Sequence, residues 1–156
     1  MTDFAKARLL ALVVPSALML GALGSQYIGG LHPCEMCYWQ RWPHDAAIVL
    51  ALFAFGTRVN KASHVLVALA ALAIMVSGGI GVFHAGVEYG WWEGITTCST
   101  TAAGVSLEDI MRAPVVRCDV PQWTLLGISL AGFNAIISLG AGAVILGLLR
   151  RAGRTA

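Results

Sequence analysis

No charged residue interrupts the chain between Leu9 and Ile28, between Val65 and Phe83, or between Trp123 and Leu149. An α-helix needs about 20 mostly apolar residues to cross the hydrocarbon of a bilayer, so these runs predict three membrane spans. A fourth is predicted around Ala46–Phe55. That apolar core is too short alone and reaches spanning length only if the helix starts further back, near Cys37–Trp42. The spans then read as about 9–28, 38–56, 65–83 and 123–149, and Arg41, His44 and Asp45 come to the membrane's edge. Composition agrees. Of 156 residues 58% are apolar and 12% charged, which excludes a disordered chain and an ordinary soluble globule. A net charge of +2 with no basic stripe argues against nucleic-acid binding. The expectation is an all-α membrane protein, one integral domain over residues 1–156, built as a four-transmembrane-helix bundle.

Charge orients the bundle. Lys6 and Arg8 precede the first run, Arg58 and Lys61 separate the second and third, and Arg150, Arg151 and Arg154 follow the fourth. Basic residues gather on the cytoplasmic side, so both termini are read as cytoplasmic. Every acidic residue except Asp3 then falls on the opposite side. Lys6 and Arg8 resemble the basic start of a signal peptide, but the apolar run behind them exceeds the roughly 7–15 residues of such a segment. It is read as a retained span.

Two outer segments remain. The first, from Gly29 to about Gln40, is short. The second, about 88–122, contains Gly90, Gly94, Gly104, Pro114 and Pro121 and reads as a loop. Within it Ser106-Leu-Glu-Asp109 has the form of an N-cap with a carboxylate three residues on. Either a short surface helix or one turn inside the loop fits. In the spans, Ser77-xxx-Gly81 and Ser138-xxx-Gly142 permit close helix packing.

All four cysteines lie opposite the positive charges. Cys34 and Cys37 form a C-x-x-C, while Cys98 and Cys118 share the long loop. Four cysteines allow three pairings, of which Cys34–Cys37 with Cys98–Cys118 is the simplest. If the basic side is cytoplasmic, the cysteines face an oxidising compartment, where disulfides persist. A C-x-x-C closes a tiny loop and makes a poor staple, whereas its sulfurs lower each other's pKa and favour exchange. A structural purpose explains Cys98–Cys118 easily and Cys34–Cys37 badly. That asymmetry points to redox chemistry.

Arg41 follows Cys37 by four residues, one helical turn. A guanidinium there favours the reactive thiolate; the alternative is that it snorkels to lipid phosphates. His84, at the outer end of the third span with Glu88 four residues on, reads either as an interfacial histidine satisfied locally or as a polar handle on a cofactor. His32, Cys34, Cys37 and His44 offer zinc-type ligands, but their spacing matches no established zinc pattern, so no metal is expected. Trp39, Trp42, Trp91, Trp92 and Trp123 fit an aromatic belt. Dithiol oxidation releases two electrons and two protons. The chain has no haem or nucleotide motif, so a quinone dissolved in the bilayer is the natural acceptor.

Pro33-Cys34-Glu-Met-Cys37-Tyr-Trp-Gln-Arg41, His84 with Val87-Glu88 before Trp91-Trp92, the pair Cys98 and Cys118, and the run Val120-Pro-Gln-Trp-Thr-Leu-Leu-Gly-Ile-Ser-Leu-Ala-Gly-Phe-Asn134 together resemble the DsbB family of disulfide-forming membrane proteins. The resemblance covers nearly the whole chain. It implies a thiol:quinone oxidoreductase of the bacterial inner membrane, with its cysteines on the periplasmic side. Such a protein reoxidises a soluble, thioredoxin-fold, DsbA-like partner and passes electrons to a quinone of the ubiquinone or menaquinone type. By analogy Cys98 takes the mixed disulfide with the partner, Cys118 exchanges with Cys34, and Cys37 faces the quinone. Arg41 then supports the Cys37 thiolate and the charge developing on the quinone, with His84 nearby. The Cys98–Cys118 loop is shorter than in the best-known members, which leaves its reach and its partner open, including a single dedicated substrate. A vitamin-K-epoxide-reductase-like enzyme is disfavoured because its loop pair precedes the C-x-x-C. A non-catalytic scaffold with structural disulfides is the remaining alternative.

Overall fold

The computed structural model describes residues 1–95, 99–100 and 115–154. Among these, four helices form: α1 (Asp3–Tyr27), α2 (Glu35–Gly56), α3 (Lys61–Glu88) and α4 (Leu130–Arg154). Two two-stranded pairs lie between α3 and α4. Strand β1 (Ser99–Thr100) pairs with β2 (Val115–Val116), and β3 (Thr124–Leu125) with β4 (Ile128–Ser129), both antiparallel. Cys98 and the expected Ser106–Asp109 turn lie outside the described residues.

Helices α1, α3 and α4 are long and apolar enough to cross a membrane. Helix α2 has 22 residues, a length of about 33 Å at 1.5 Å per residue. Its first three turns carry Glu35, Arg41 and Asp45, which lower its hydropathy. Each helix starts where a side chain caps it. Thr2 Oγ1 accepts from Ala5 N–H, and Asn60 Oδ1 from Ser63 N–H. For α2 the capping atom is the sulfur of Cys34, which accepts from Cys37 N–H at 3.3 Å.

The sequence-expected span 123–149 begins too early. Thr124 to Ser129 fold back as a hairpin whose central residues, Leu126 (φ 53°) and Gly127 (φ 78°), are both left-handed. That is the backbone a two-residue hairpin turn requires. An apolar run alone did not reveal it. Tyr89 ties the hairpin down: its hydroxyl donates to Gly127 O and accepts from Ser129 N–H.

Around the bundle, α1 packs on α2 and α4, and α3 packs on the same two. The interior is built largely from alanine, including Ala7, Ala11, Ala47, Ala51, Ala70 and Ala71. In lipid there is no hydrophobic drive between helices, and small residues let backbones approach and gain dispersion contacts. Gly81 and Gly142 do this between α3 and α4. A methyl on Gly81 would meet the backbone of Ala131 and Ala135, and one on Gly142 would strike Met75. Larger apolar side chains such as Leu20 and Phe53 point outward.

Candidate functional site

A second buried cluster sits at one end of the bundle and contains the cysteines. Cys34, Met36, Val87, Val116 and Cys118 form it, with Cys37, Trp39 and Phe83 packed against them. Pro33 ends the extended approach, and Cys34 and Cys37 become the N-cap and third residue of α2. This is the S-x-x-E capping pattern with sulfur in both places. The positive end of the helix dipole therefore falls on the C-x-x-C and favours a thiolate there.

The two sulfurs are 2.9 Å apart. Cys118, carried in just after β2, is also buried, and its sulfur lies within 4.8 Å of both Cys34 Sγ and the His84 ring. Thus the structure brings a cysteine of the second outer segment onto the C-x-x-C. Gln122 helps to hold that segment, its Nε2 donating to His32 O on the first. Arg117 and Asp119 flank Cys118 as an ion pair. Hydrogen bonding to Cys118, then to Cys37, and burial push the Cys34 thiol up. The hydrogen bond from Cys34 pulls the Cys37 thiol down. Of the pair, Cys37 is the readier thiolate.

His84 sits on the far side of Cys34, with Nε2 3.5 Å from its sulfur and 3.8 Å from Glu88 Oε1. Its tautomer follows from a chain of amides. Gln40 Nε2 donates to Met36 O at 3.2 Å and to His84 Nδ1 at 2.8 Å, while Gln40 Oε1 accepts from Asn134 Nδ2 at 2.8 Å. His84 Nδ1 is therefore the acceptor, and Nε2–H is a donor facing the cysteines. The Cys118 backbone also hydrogen-bonds this ring. Asn134 continues inward. Its Oδ1 accepts from His44 Nε2 at 2.9 Å and from Ser138 Oγ at 2.8 Å, and its Nδ2 reaches Ser77. His44 Nδ1 is buried without a partner.

A cavity of about 250 Å³ opens beside these groups. Cys34, Cys37, Arg41, His44 and His84 line it, with α1 (Leu18, Ala22) and α4 (Leu130, Phe133) as its apolar walls. Arg41 differs from the expectation of a contact with Cys37. Its Nη1 donates to Gln26 Oε1 at 2.6 Å, its Nη2 to Ala22 O at 3.3 Å, and the guanidinium lies over the Tyr38 ring. Acceptors on α1 draw it across the cavity, whose wall it lines. The zinc-type set His32, Cys34, Cys37 and His44 is not the one that converges. Among the described residues the clustered ligand atoms are those of Cys34, His84 and Cys118. Sequence reasoning missed Gln40, Asn134 and Ser77. The signal was there: polar side chains within apolar spans are costly and need a reason.

Fold and site together define a membrane helical protein of disulfide chemistry. Comparison with known proteins then gives the relationship. The chain belongs to the DsbB family: the family described as "Disulfide bond formation protein DsbB" matches residues 5–148. Among curated relatives, Disulfide bond formation protein B of Acidovorax sp. (strain JS42) is 32% identical, with 99% of this chain and 93% of that protein covered. Its counterpart from Polaromonas sp. (strain JS666 / ATCC BAA-500) is 30% identical over 94% and 92%. A Rickettsia prowazekii (strain Madrid E) protein, "Uncharacterized protein RP370", is 27% identical over 83% and 79%. No solved structure matches the chain. Family membership supports a disulfide-forming oxidoreductase held in a membrane.

Proposed function

We propose that this protein is a thiol:quinone oxidoreductase of the bacterial inner membrane that reoxidises a periplasmic, thioredoxin-fold, DsbA-like dithiol protein. In this reading the chain is a single domain with α2 as the fourth span, both termini cytoplasmic and the cysteines periplasmic. The observation that carries it is the cavity shared by Cys34, Cys37 and Arg41, which runs from the cysteine cluster to the apolar walls of α1 and α4.

A quinone fits the donors present. The cavity has apolar walls on α1 and α4, as an isoprenoid-bearing ring needs. The polar groups beside it are the Arg41 guanidinium, a donor for a ring oxygen, and the unpartnered His44 Nδ1, which can only accept because Nε2–H is given to Asn134. When bound, a quinone supplies an acceptor for two electrons and two protons. The chain's own residues do the rest. Cys98 takes the partner's thiolate, and the released Cys118 attacks Cys34. The electron pair of the Cys34–Cys37 bond leaves on Cys37, whose thiolate the α2 dipole supports. The His84 Nε2–H donor lies 3.5 Å from the Cys34 sulfur under attack.

The test is quinone absorbance in detergent, with reduced DsbA-like protein as donor and Cys37→Ala as control. Catalytic loss of absorbance, abolished by Cys37→Ala, is the expected result. No turnover with a panel of partners, while quinone still reacts with the reduced protein, points to a dedicated substrate. Failure of quinone to react even with the reduced protein overturns the reading.

A further inference from the structure

We propose that Gln40 keeps the reduced cysteine cluster from capturing zinc. The inference concerns the geometry of the cluster and holds whichever acceptor takes the electrons.

With its thiols reduced, the cluster has the donors of a metal site. Cys34 Sγ, Cys118 Sγ and a ring nitrogen of His84 lie within 4.8 Å of one another, and all three residues are buried. Cys37 Sγ, 2.9 Å from Cys34 Sγ, is at hand as a fourth donor. Three cysteines and a histidine are a structural zinc set. The spacing suits the ion as well. Zinc bonds of about 2.3 Å to sulfur and about 2.0 Å to nitrogen, held at the tetrahedral angle, put those two atoms about 3.5 Å apart. Cys34 Sγ and His84 Nε2 are 3.5 Å apart. The Glu88 carboxylate, 3.8 Å from the same nitrogen, adds negative charge. Coordination involves no redox change: the ion displaces the thiol protons to solvent, and the imidazole binds through a lone pair.

That lone pair is what the structure withholds. A histidine that ligates through Nε2 carries its proton on Nδ1 and donates it to a carboxylate, a backbone carbonyl or water. Here the group at Nδ1 is itself a donor, Gln40 Nε2 at 2.8 Å. The proton is therefore left on Nε2, facing the sulfurs. Turning the Gln40 amide over sets Oε1 against Met36 O and sets Nε2 against Asn134 Nδ2, acceptor on acceptor and donor on donor. Asn134 is pinned in turn, because its Oδ1 accepts from His44 Nε2 and Ser138 Oγ. A chain of polar side chains on α2 and α4 thus holds one imidazole in the tautomer that cannot ligate. The sulfurs remain available for exchange in a cluster whose donor set would otherwise hold zinc.

The experiment measures zinc binding by the full-length, reduced Cys98→Ser protein in detergent, with a chromophoric chelator as competitor. Gln40→Glu offers Nδ1 an acceptor and moves the proton there. It should bind zinc about 10–100-fold more tightly than its parent, the usual worth of the outer hydrogen-bond partner of a metal-bound histidine. Gln40→Leu removes the amide N–H without adding charge and should show part of that gain, so the test survives if one variant fails to fold. The gain must run through the ring: in a His84→Phe background, Gln40→Glu should leave zinc affinity unchanged. The proposal fails if neither variant binds zinc more tightly than the parent. It fails equally if the Gln40→Glu gain persists without His84, because the new carboxylate would then be drawing the ion directly. Either failure leaves the relay reading standing, since no quinone or partner enters the measurement.

Discussion

Gln40 Nε2 lies 2.8 Å from His84 Nδ1, and this bond decides which edge of the imidazole the cysteines meet. Because the same amide is anchored at Met36 O and at Asn134, it cannot rotate without leaving acceptors face to face. His84 is thereby fixed as a donor towards Cys34. An amide in the second turn of α2 thus sets the hydrogen-bonding character of the cysteine cluster.

Gln40→Glu tests that control. The carboxylate has the same shape but accepts where the amide donates, so the His84 proton moves to Nδ1 and Nε2 becomes an acceptor. Nitrogen-15 NMR of labelled histidine should report the opposite tautomer, and the Cys118–Cys34 exchange should slow. Gln40→Leu instead leaves His84 Nδ1 unpaired and should cost about 1–3 kcal/mol of stability, read by denaturant unfolding in detergent. An unchanged tautomer in Gln40→Glu would refute the assignment.

The reduced C-x-x-C should titrate unevenly. Cys37 is pulled down by the hydrogen bond from Cys34, whereas Cys34 is pushed up by its hydrogen bonds to Cys118 and Cys37 and by burial. A lowered value means thiolate at lower pH, so Cys37 should be alkylated at a pH where Cys34 is still inert. Mass spectrometry of iodoacetamide adducts against pH checks this through the midpoints. Unequal accessibility alone changes the plateau rates and leaves the midpoints together.

Much of this was legible in the sequence, and the physical reason for each success is local. Uncharged runs of spanning length announced α1, α3 and α4, and C-x-x-C spacing announced a reactive pair. What was hidden depended on tertiary contact. The start of α4 is set by a hairpin at Leu126–Gly127 inside an apolar run. The docking of Cys118 on Cys34 joins residues far apart in the chain. Arg41 turns towards Gln26 and Ala22 because α1 happens to offer acceptors there, which helical periodicity within α2 cannot foresee. Asn134, Ser77 and Gln40 were each visible as odd polar residues, yet only the packed bundle shows that they form one network.

Arg41→Lys separates charge from shape. Lysine keeps the positive charge but lacks the planar fork that binds Gln26 and Ala22 while presenting further N–H groups to the cavity. The KM for quinone should rise about tenfold, or about 1.4 kcal/mol of binding. The KM for the protein partner, which meets the outer cysteines, should move far less. Equal shifts in both would mean that Arg41 serves the fold and not the cavity.

Two neighbouring glycines on α3 make the packing argument quantitative. Around Gly79 an added methyl meets nothing within 4 Å, whereas at Gly81 it meets Ala131 O at 3.0 Å and Ala135 N at 3.1 Å. Those are backbone atoms of α4, which can yield only if the helices move apart. Gly79→Ala should therefore be neutral or slightly stabilising, since alanine is the better helix former. Gly81→Ala should cost about 1–3 kcal/mol, the usual penalty for overpacking. Because the displaced helix carries Asn134, Gly81→Ala should also loosen the Gln40–Asn134–His44 network and slow thiol exchange. Parallel unfolding curves and exchange rates for the two variants check both halves. A Gly81→Ala protein as stable and as fast as Gly79→Ala would mean that α3 and α4 do not meet as closely as described.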